Sequence, residues 1–186
     1  MLGALLGFLN VWLGIWRDGR KKSADSTYLA VRLTVILEAY AAACADLISR
    51  NNMAEIWIND DLPRWDIRLP TLTAFPDDGD GWKALDPNLA SECLGLRNKI
   101  DGSQGMISET IEHDEMEIGR SVQMQASERG LEAWSLAQRL RKAHRLRPVE
   151  LVFRYDDFLK KEIERAKARE KRRNRDEEDI VVVPAA

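Results

Sequence analysis

The alternation of apolar and polar positions along the chain follows a helical rhythm through most of its length. Leu29, Leu33, Ile36, Leu37, Tyr40, Cys44, Leu47 and Ile48 recur at steps of three and four, the spacing of one buried helix face. The spacing predicts a helix over Ser26–Arg50, with alanines at 30, 39, 41, 42, 43 and 45 permitting close neighbours on more than one side. Asp86 followed by Pro87 has the form of an N-cap and first helical residue. Beyond it Leu89, Cys93, Leu96, Ile100, Ile107, Ile111, Ile118 and Val122 keep one phase, which predicts a single long helix running through the glycines at 102 and 105. A further helix is expected over Ser127–Arg145 and a last one from about Asp156. Past Ala166 that last helix has no apolar face, so it should project or fray, and the tail from Asp176 is expected to be disordered.

The rhythm is lost over 51–85. Pro63, Pro70 and Pro76 forbid a long helix, and the run PDDGDG at 76–81 is turn chemistry. Nevertheless Trp57, Trp65, Ile67, Leu69, Leu72, Phe75 and Trp82 make the segment too apolar for a solvated linker. It is expected to lie as an irregular cover over the helices with its tryptophans as pegs, with room for a short strand around Asp66–Leu72. No repeat of solenoid length is present. The fold class is therefore all-α: an antiparallel, bundle-like body at 23–165, behind an N-terminal anchor at 1–22 and ahead of a charged tail at 166–186.

The anchor is read from the opening stretch, MLGALLGFLNVWLGIWRDGRKK. Leu2–Trp16 carries no charged side chain, and as a helix its fifteen residues span about 23 Å against about 30 Å of bilayer hydrocarbon. Snorkelling at Trp16 and Arg17 and local thinning would be needed for it to cross. A secretory signal wants a basic region before the apolar run and a small-residue cleavage site after it, and an interfacial helix wants a charged face; neither pattern is present. Gly3, Gly7, Asn10 and Gly14 share one face, the small-x-x-x-small arrangement that lets membrane helices approach. The expectation is thus a short single-pass transmembrane helix that self-associates through these four residues. Arg17, Arg20, Lys21 and Lys22 should meet lipid headgroups and place the body on the cytoplasmic side of a plasma or inner membrane.

Composition adds exclusions. With 28 Lys and Arg against 31 Asp and Glu the net charge is −3, unlike the basic balance of a nucleic-acid binder, and no nucleic-acid partner is expected. Cys44 and Cys93 both fall in apolar helical patterns and read as buried thiols. No serine elbow, phosphate loop or paired-cysteine motif occurs, and no cofactor or metal is expected. Two acids stand out: Asp46 in an alanine-rich helix and Asp114 near the seam of Ile111 and Ile118. Each would need a partner such as Arg97, or a raised pKa, if buried. The functional expectation is a membrane-anchored helical scaffold or interaction protein without catalytic activity, binding lipid through residues 2–22 and a protein partner or a second copy. The alternatives are a membrane-associated enzyme using Asp46, Glu109, Glu112 and His113, and a soluble partner-binding protein whose first helix packs on its own core.

Overall fold

A computed structural model describes residues 2–56, 66–113, 117–150 and 153–181, with side chains described for 20–53, 66–111, 117–150, 153–173 and 175. The described residues form five helices and no strand. They are α1 (Leu2–Ile56), the short α2 (Gly79–Ala84), α3 (Pro87–His113), α4 (Ile118–Ala143) and α5 (Tyr155–Val181).

Helix α4 is the hub, touching α1, α3 and α5. Cross-helix pairs fix every direction. Between α1 and α4, Glu38 meets Arg141, the Cys44 Cβ faces Gly130 and Asn52 meets Gln123. Between α3 and α4, Glu92 meets Arg139, Lys99 meets Glu132 and Thr110 meets Ser121. Between α4 and α5, Trp134 lies by Tyr155, Gly130 by Leu159 and Glu117 by Arg173. In each set one number rises as the other falls, so α1, α3 and α5 all run antiparallel to α4. The core between them is formed by Leu29, Leu33, Leu37, Leu96, Ile107, Val122, Leu136, Leu140 and Leu159, the face the sequence periodicity marks on α1 and α3.

The contact at Gly130 explains how three helices converge. A Cβ placed there would stand 2.9 Å from the Cβ of Cys44 and 3.2 Å from a methyl carbon of Leu159. The Cys44 Cβ is fixed to the α1 backbone and cannot swing aside, so the axes come this close only because position 130 has no side chain. A chain reversal follows α4. Arg145 takes a left-handed φ of 53°, and the Leu146 amide donates to the Arg141 carbonyl at 2.9 Å, a Schellman closure usually served by glycine.

Several expectations are corrected. The single long helix through Val122 is instead two: α3 ends at His113 and α4 begins at Ile118, not Ser127. Ile118 and Val122 also stand in helical phase with Ala126, Ala133 and Leu140, so their spacing suited either helix, and the Thr110–Ser121 contact shows the chain has already doubled back. The glycines at 102 and 105 do not interrupt α3. The strand at 66–72 does not form; that segment is irregular and pinned instead. Asn51 and Asp66 exchange two hydrogen bonds at 3.0 and 3.1 Å, the Leu69 amide donates to Gln104 at 2.8 Å, and Leu69 and Leu72 are buried. Trp82 acts as a peg, its indole donating to the Pro76 carbonyl at 3.0 Å and its ring meeting Phe75 edge-on; Trp57 and Trp65 lie outside the described residues. The Asp86 cap is as expected, its carboxylate accepting from the Asn88 and Leu89 amides. Helix α5 continues to Val181, so the first residues of the expected disordered tail are helical.

The largest correction concerns the anchor. Leu2–Trp16 is not a separate short helix but the beginning of the 55-residue α1, and no helix among the described residues is long and apolar enough to cross a membrane. Nothing in the backbone of α1 breaks at the boundary expected near residue 22.

Replacing Gly130 by alanine should lower unfolding stability by about 1–3 kcal/mol despite the better helix propensity, because overpacking against a fixed Cβ outweighs it. Chemical denaturation of the two proteins checks this, and a gain in stability would show that the helices can separate without loss.

Candidate functional site

The expected site residues fall in three places. Gly3, Gly7, Asn10, Gly14 and Arg17 lie on the α1 backbone but outside the residues whose side chains are described. Arg20, Lys21 and Lys22 are exposed on α1, just ahead of Ser26, the first buried residue of that helix among the described side chains. Asp46 is exposed, and Asp114 lies outside the described residues.

The basic group gains a member that the sequence did not point to. Lys21, Lys22 and Asp25 of α1, with Asp80, Lys83 and Ala84 of α2, line a recess of about 360 Å³. Helix α2 is held there because Asp78 caps it through the Gly81 amide at 2.9 Å and because Gly81 packs on Leu29, whose Cβ lies 3.0 Å from a Cβ built at that glycine. Lys83 thereby joins Lys21 and Lys22 across some sixty residues of chain, with two carboxylates between them. The cluster can engage an anionic surface or phosphate group through three ammonium groups.

The acids do not form the site anticipated for them. Asp46 is not buried: its side chain is 66% exposed and pairs with Arg50 one turn on, which also reaches Asp66 at 3.5 Å. It borders a recess of about 470 Å³ beside Phe153 and Tyr155. Thr110, on the last turns of α3, lines a different cavity of about 280 Å³ with Arg120, Met124, Arg169 and Arg173. The side chains of Glu112 and His113 lie outside the described residues, and Glu109 is exposed. No cluster of histidine, cysteine and carboxylate suited to a metal occurs among the described residues. Arg97 does not serve a buried acid; it donates to the Thr73 carbonyl and lies over the Phe75 ring.

Two carboxylates are sheltered: Glu162, paired with Arg165 one turn on along α5, and Glu38, which no local pattern marks. Arg141 grips it through Nε at 2.6 Å and Nη2 at 2.8 Å, with the two side chains 13% and 16% exposed. That bidentate bond raises the Arg141 pKa further above its already high value. It ties α1 to the end of α4 and to the Arg147 carbonyl beyond it, a structural role. Only a signal coupling positions one hundred residues apart would have found it.

Cys44 and Cys93 are free and buried, and burial pushes each thiol up to about 12. Neither has the thiolate that nucleophilic chemistry requires. Burial also pulls the His144 imidazole below its ordinary value, with Nδ1 3.5 Å from the Thr27 hydroxyl. This histidine is half-buried at the α4 terminus.

No protein-family model matches the chain, and neither the curated proteins nor the solved structures contain a significant match.

Two outcomes follow from these environments. In the folded protein at about pH 8 both thiols should resist an aromatic disulfide reagent, and both should react once guanidinium unfolds the chain; fast labelling of the native protein would contradict their burial. For His144 the folded state binds its proton less tightly than the unfolded chain. Stability is therefore fully present above the unfolded pKa of about 6.5 and declines as pH falls through it. His144→Gln should flatten the fall in melting temperature between about pH 7 and pH 5, and an unchanged slope would assign that fall to other groups.

Proposed function

We propose that the protein is a membrane-associated, non-catalytic helical interaction module, fastened by the apolar beginning of α1 and the basic patch beside it, with its body on the cytoplasmic face. The observation that carries this reading is the continuity of α1: one helix joins the uncharged run Leu2–Trp16 to a packed face on which Ser26 is the first buried residue among the described side chains. The exposed Lys21 and Lys22 stand at the junction with Lys83 of α2 beside them. Fifteen apolar residues reach about 23 Å, more than one leaflet of a hydrocarbon core about 30 Å thick and less than both. The attachment is therefore entry from one side, with the lysines at the headgroups, in place of a full crossing. Three lysines near an anionic surface contribute about 1 kcal/mol each.

Supporting a non-catalytic role, the thiols are inert, and Asp46, the one described acid of the anticipated site with a partner, is paired in the open with Arg50. The exposed basic patch and the buried body divide attachment from packing in the manner of an interaction module.

Flotation with lipid vesicles tests the reading. The full chain should rise with vesicles containing about a third anionic lipid and rise less with neutral ones. A chain lacking residues 1–22 should stay at the bottom, although the buried contacts described from Ser26 onward remain. Lys21→Glu, Lys22→Glu and Lys83→Glu together should weaken anionic-vesicle binding at least tenfold. A full chain that ignores both kinds of vesicle overturns the proposal.

A further inference from the structure

The chain reversal after α4 carries a strain that its own packing does not explain. Arg145 is the one non-glycine residue with a left-handed backbone among the described residues, at φ 53°. Its amide donates to the Lys142 carbonyl at 3.3 Å and the Leu146 amide to the Arg141 carbonyl at 2.9 Å, the two bonds of a Schellman closure. Glycine takes that position without steric penalty, whereas an L side chain there is strained. Leu146 turns inward and packs against the core, so the reversal is pinned by Leu146 and not by the Arg145 side chain. Arg145 is exposed, as are Lys142 and Arg147, and among the described residues no carboxylate pairs with any of the three. Arg141 differs, being held by Glu38. A strained backbone beneath a charged side chain with no partner in its own chain points to a partner outside it.

We propose that Arg145, with Lys142 and Arg147, forms a second contact for an anionic membrane surface, on the side of α1 opposite to the recess of Lys21, Lys22 and Lys83. The inference rests on the membrane reading above and adds a site to it. Helix α4 runs antiparallel to α1, so its last turn stands at the end of the bundle next to the apolar run of α1, where His144 Nδ1 lies 3.5 Å from the Thr27 hydroxyl. Thr27 is about 8 Å from Lys22 along the helix axis, a gap that a long arginine side chain spans as it reaches for headgroups. Asp25, which lines the recess with Lys83, and Thr27 are two residues apart and hence about 200° apart around α1. Basic groups therefore flank α1 on two sides at one end of the bundle. Of the acids at this end, Asp25 and Asp80 lie on the recess side, and Asp78 and Asp86 are engaged by the amides that they cap. A helix lying flat would present only one of the two basic sides to lipid. Both reach it when α1 enters steeply and the bundle stands on this end, with the reversal at 144–147 among the headgroups.

The test is flotation of full-chain variants with vesicles containing about a third phosphatidylserine, alongside thermal unfolding. Arg145→Gly should lower binding about fivefold, the share of one charge near an anionic surface, while its melting temperature holds or rises because glycine relieves the left-handed residue. Arg145→Lys should bind as the wild-type chain does. Lys167→Gln removes an equal charge from an exposed position on α5, between Leu159 and Arg173, and should change nothing at physiological salt, since it stands more than a screening length from this end. In a chain already carrying Lys83→Gln, Arg145→Gly should lower binding by the same factor again, because both sides of α1 touch at once. A lower melting temperature for Arg145→Gly would show that the side chain serves the fold. Equal flotation of Arg145→Gly and wild type would remove Arg145 from the attachment, and no further loss in the Lys83→Gln chain would mean contact on one side only. Each of these overturns the proposal and leaves attachment through α1 standing. A wild-type chain that ignores vesicles overturns both.

Discussion

At Gly130 the bundle is held by what is missing. Helix α4 approaches α1 and α5 at one point where a single added carbon would collide with the Cβ of Cys44 and a methyl group of Leu159. Protein interiors are packed to crystal-like density, so that spacing propagates: it sets how far Leu33, Leu37, Leu136 and Leu140 interdigitate on either side. Cys44 matters there for its size, as a small apolar residue opposite a bare backbone, and its thiol chemistry is suppressed by the same closeness.

Around that point polar pairs fix direction and register more than they add stability. Glu92–Arg139 and Lys99–Glu132 are about half exposed on at least one side, and such pairs contribute little singly. They nevertheless recur at one register along α3 and α4, so a slip by a turn would break all of them at once. Glu38–Arg141 differs because water is largely excluded from it; removing either partner strands a charge. Arg129 marks the opposite case, its buried Nε lacking a hydrogen-bond partner among the described residues.

Legibility in the sequence followed the range of the interaction. The α1 core face, the Asp86–Pro87 cap and the continuity of α3 across two glycines depend on neighbours within a turn, and periodicity reads them. The α3–α4 boundary was hidden because Ile118 and Val122 satisfy the phase of both helices. Asp46 misleads for the same local reason: its neighbours Ala45 and Leu47 are buried, yet Asp46 itself turns outward to solvent. Glu38–Arg141 and the arrival of Lys83 beside Lys21 depend on partners sixty to a hundred residues away, where no spacing rule operates. The opening stretch was legible as apolar and helical, but its fusion to the body was not, since a run of Gly-Arg-Lys-Lys looks like punctuation and is here mid-helix.

That fusion makes α1 a shaft in place of a tether. A flexible linker would let the body swivel beneath whatever holds the first turns; an unbroken helix transmits azimuth as well as distance, about 100° for every residue. Inserting one residue between Arg20 and Ala24 would leave every side chain intact yet turn the bundle roughly a quarter of the way round relative to the helix start. Length and phase in that short exposed stretch are thus parts of the architecture, even though its side chains face solvent.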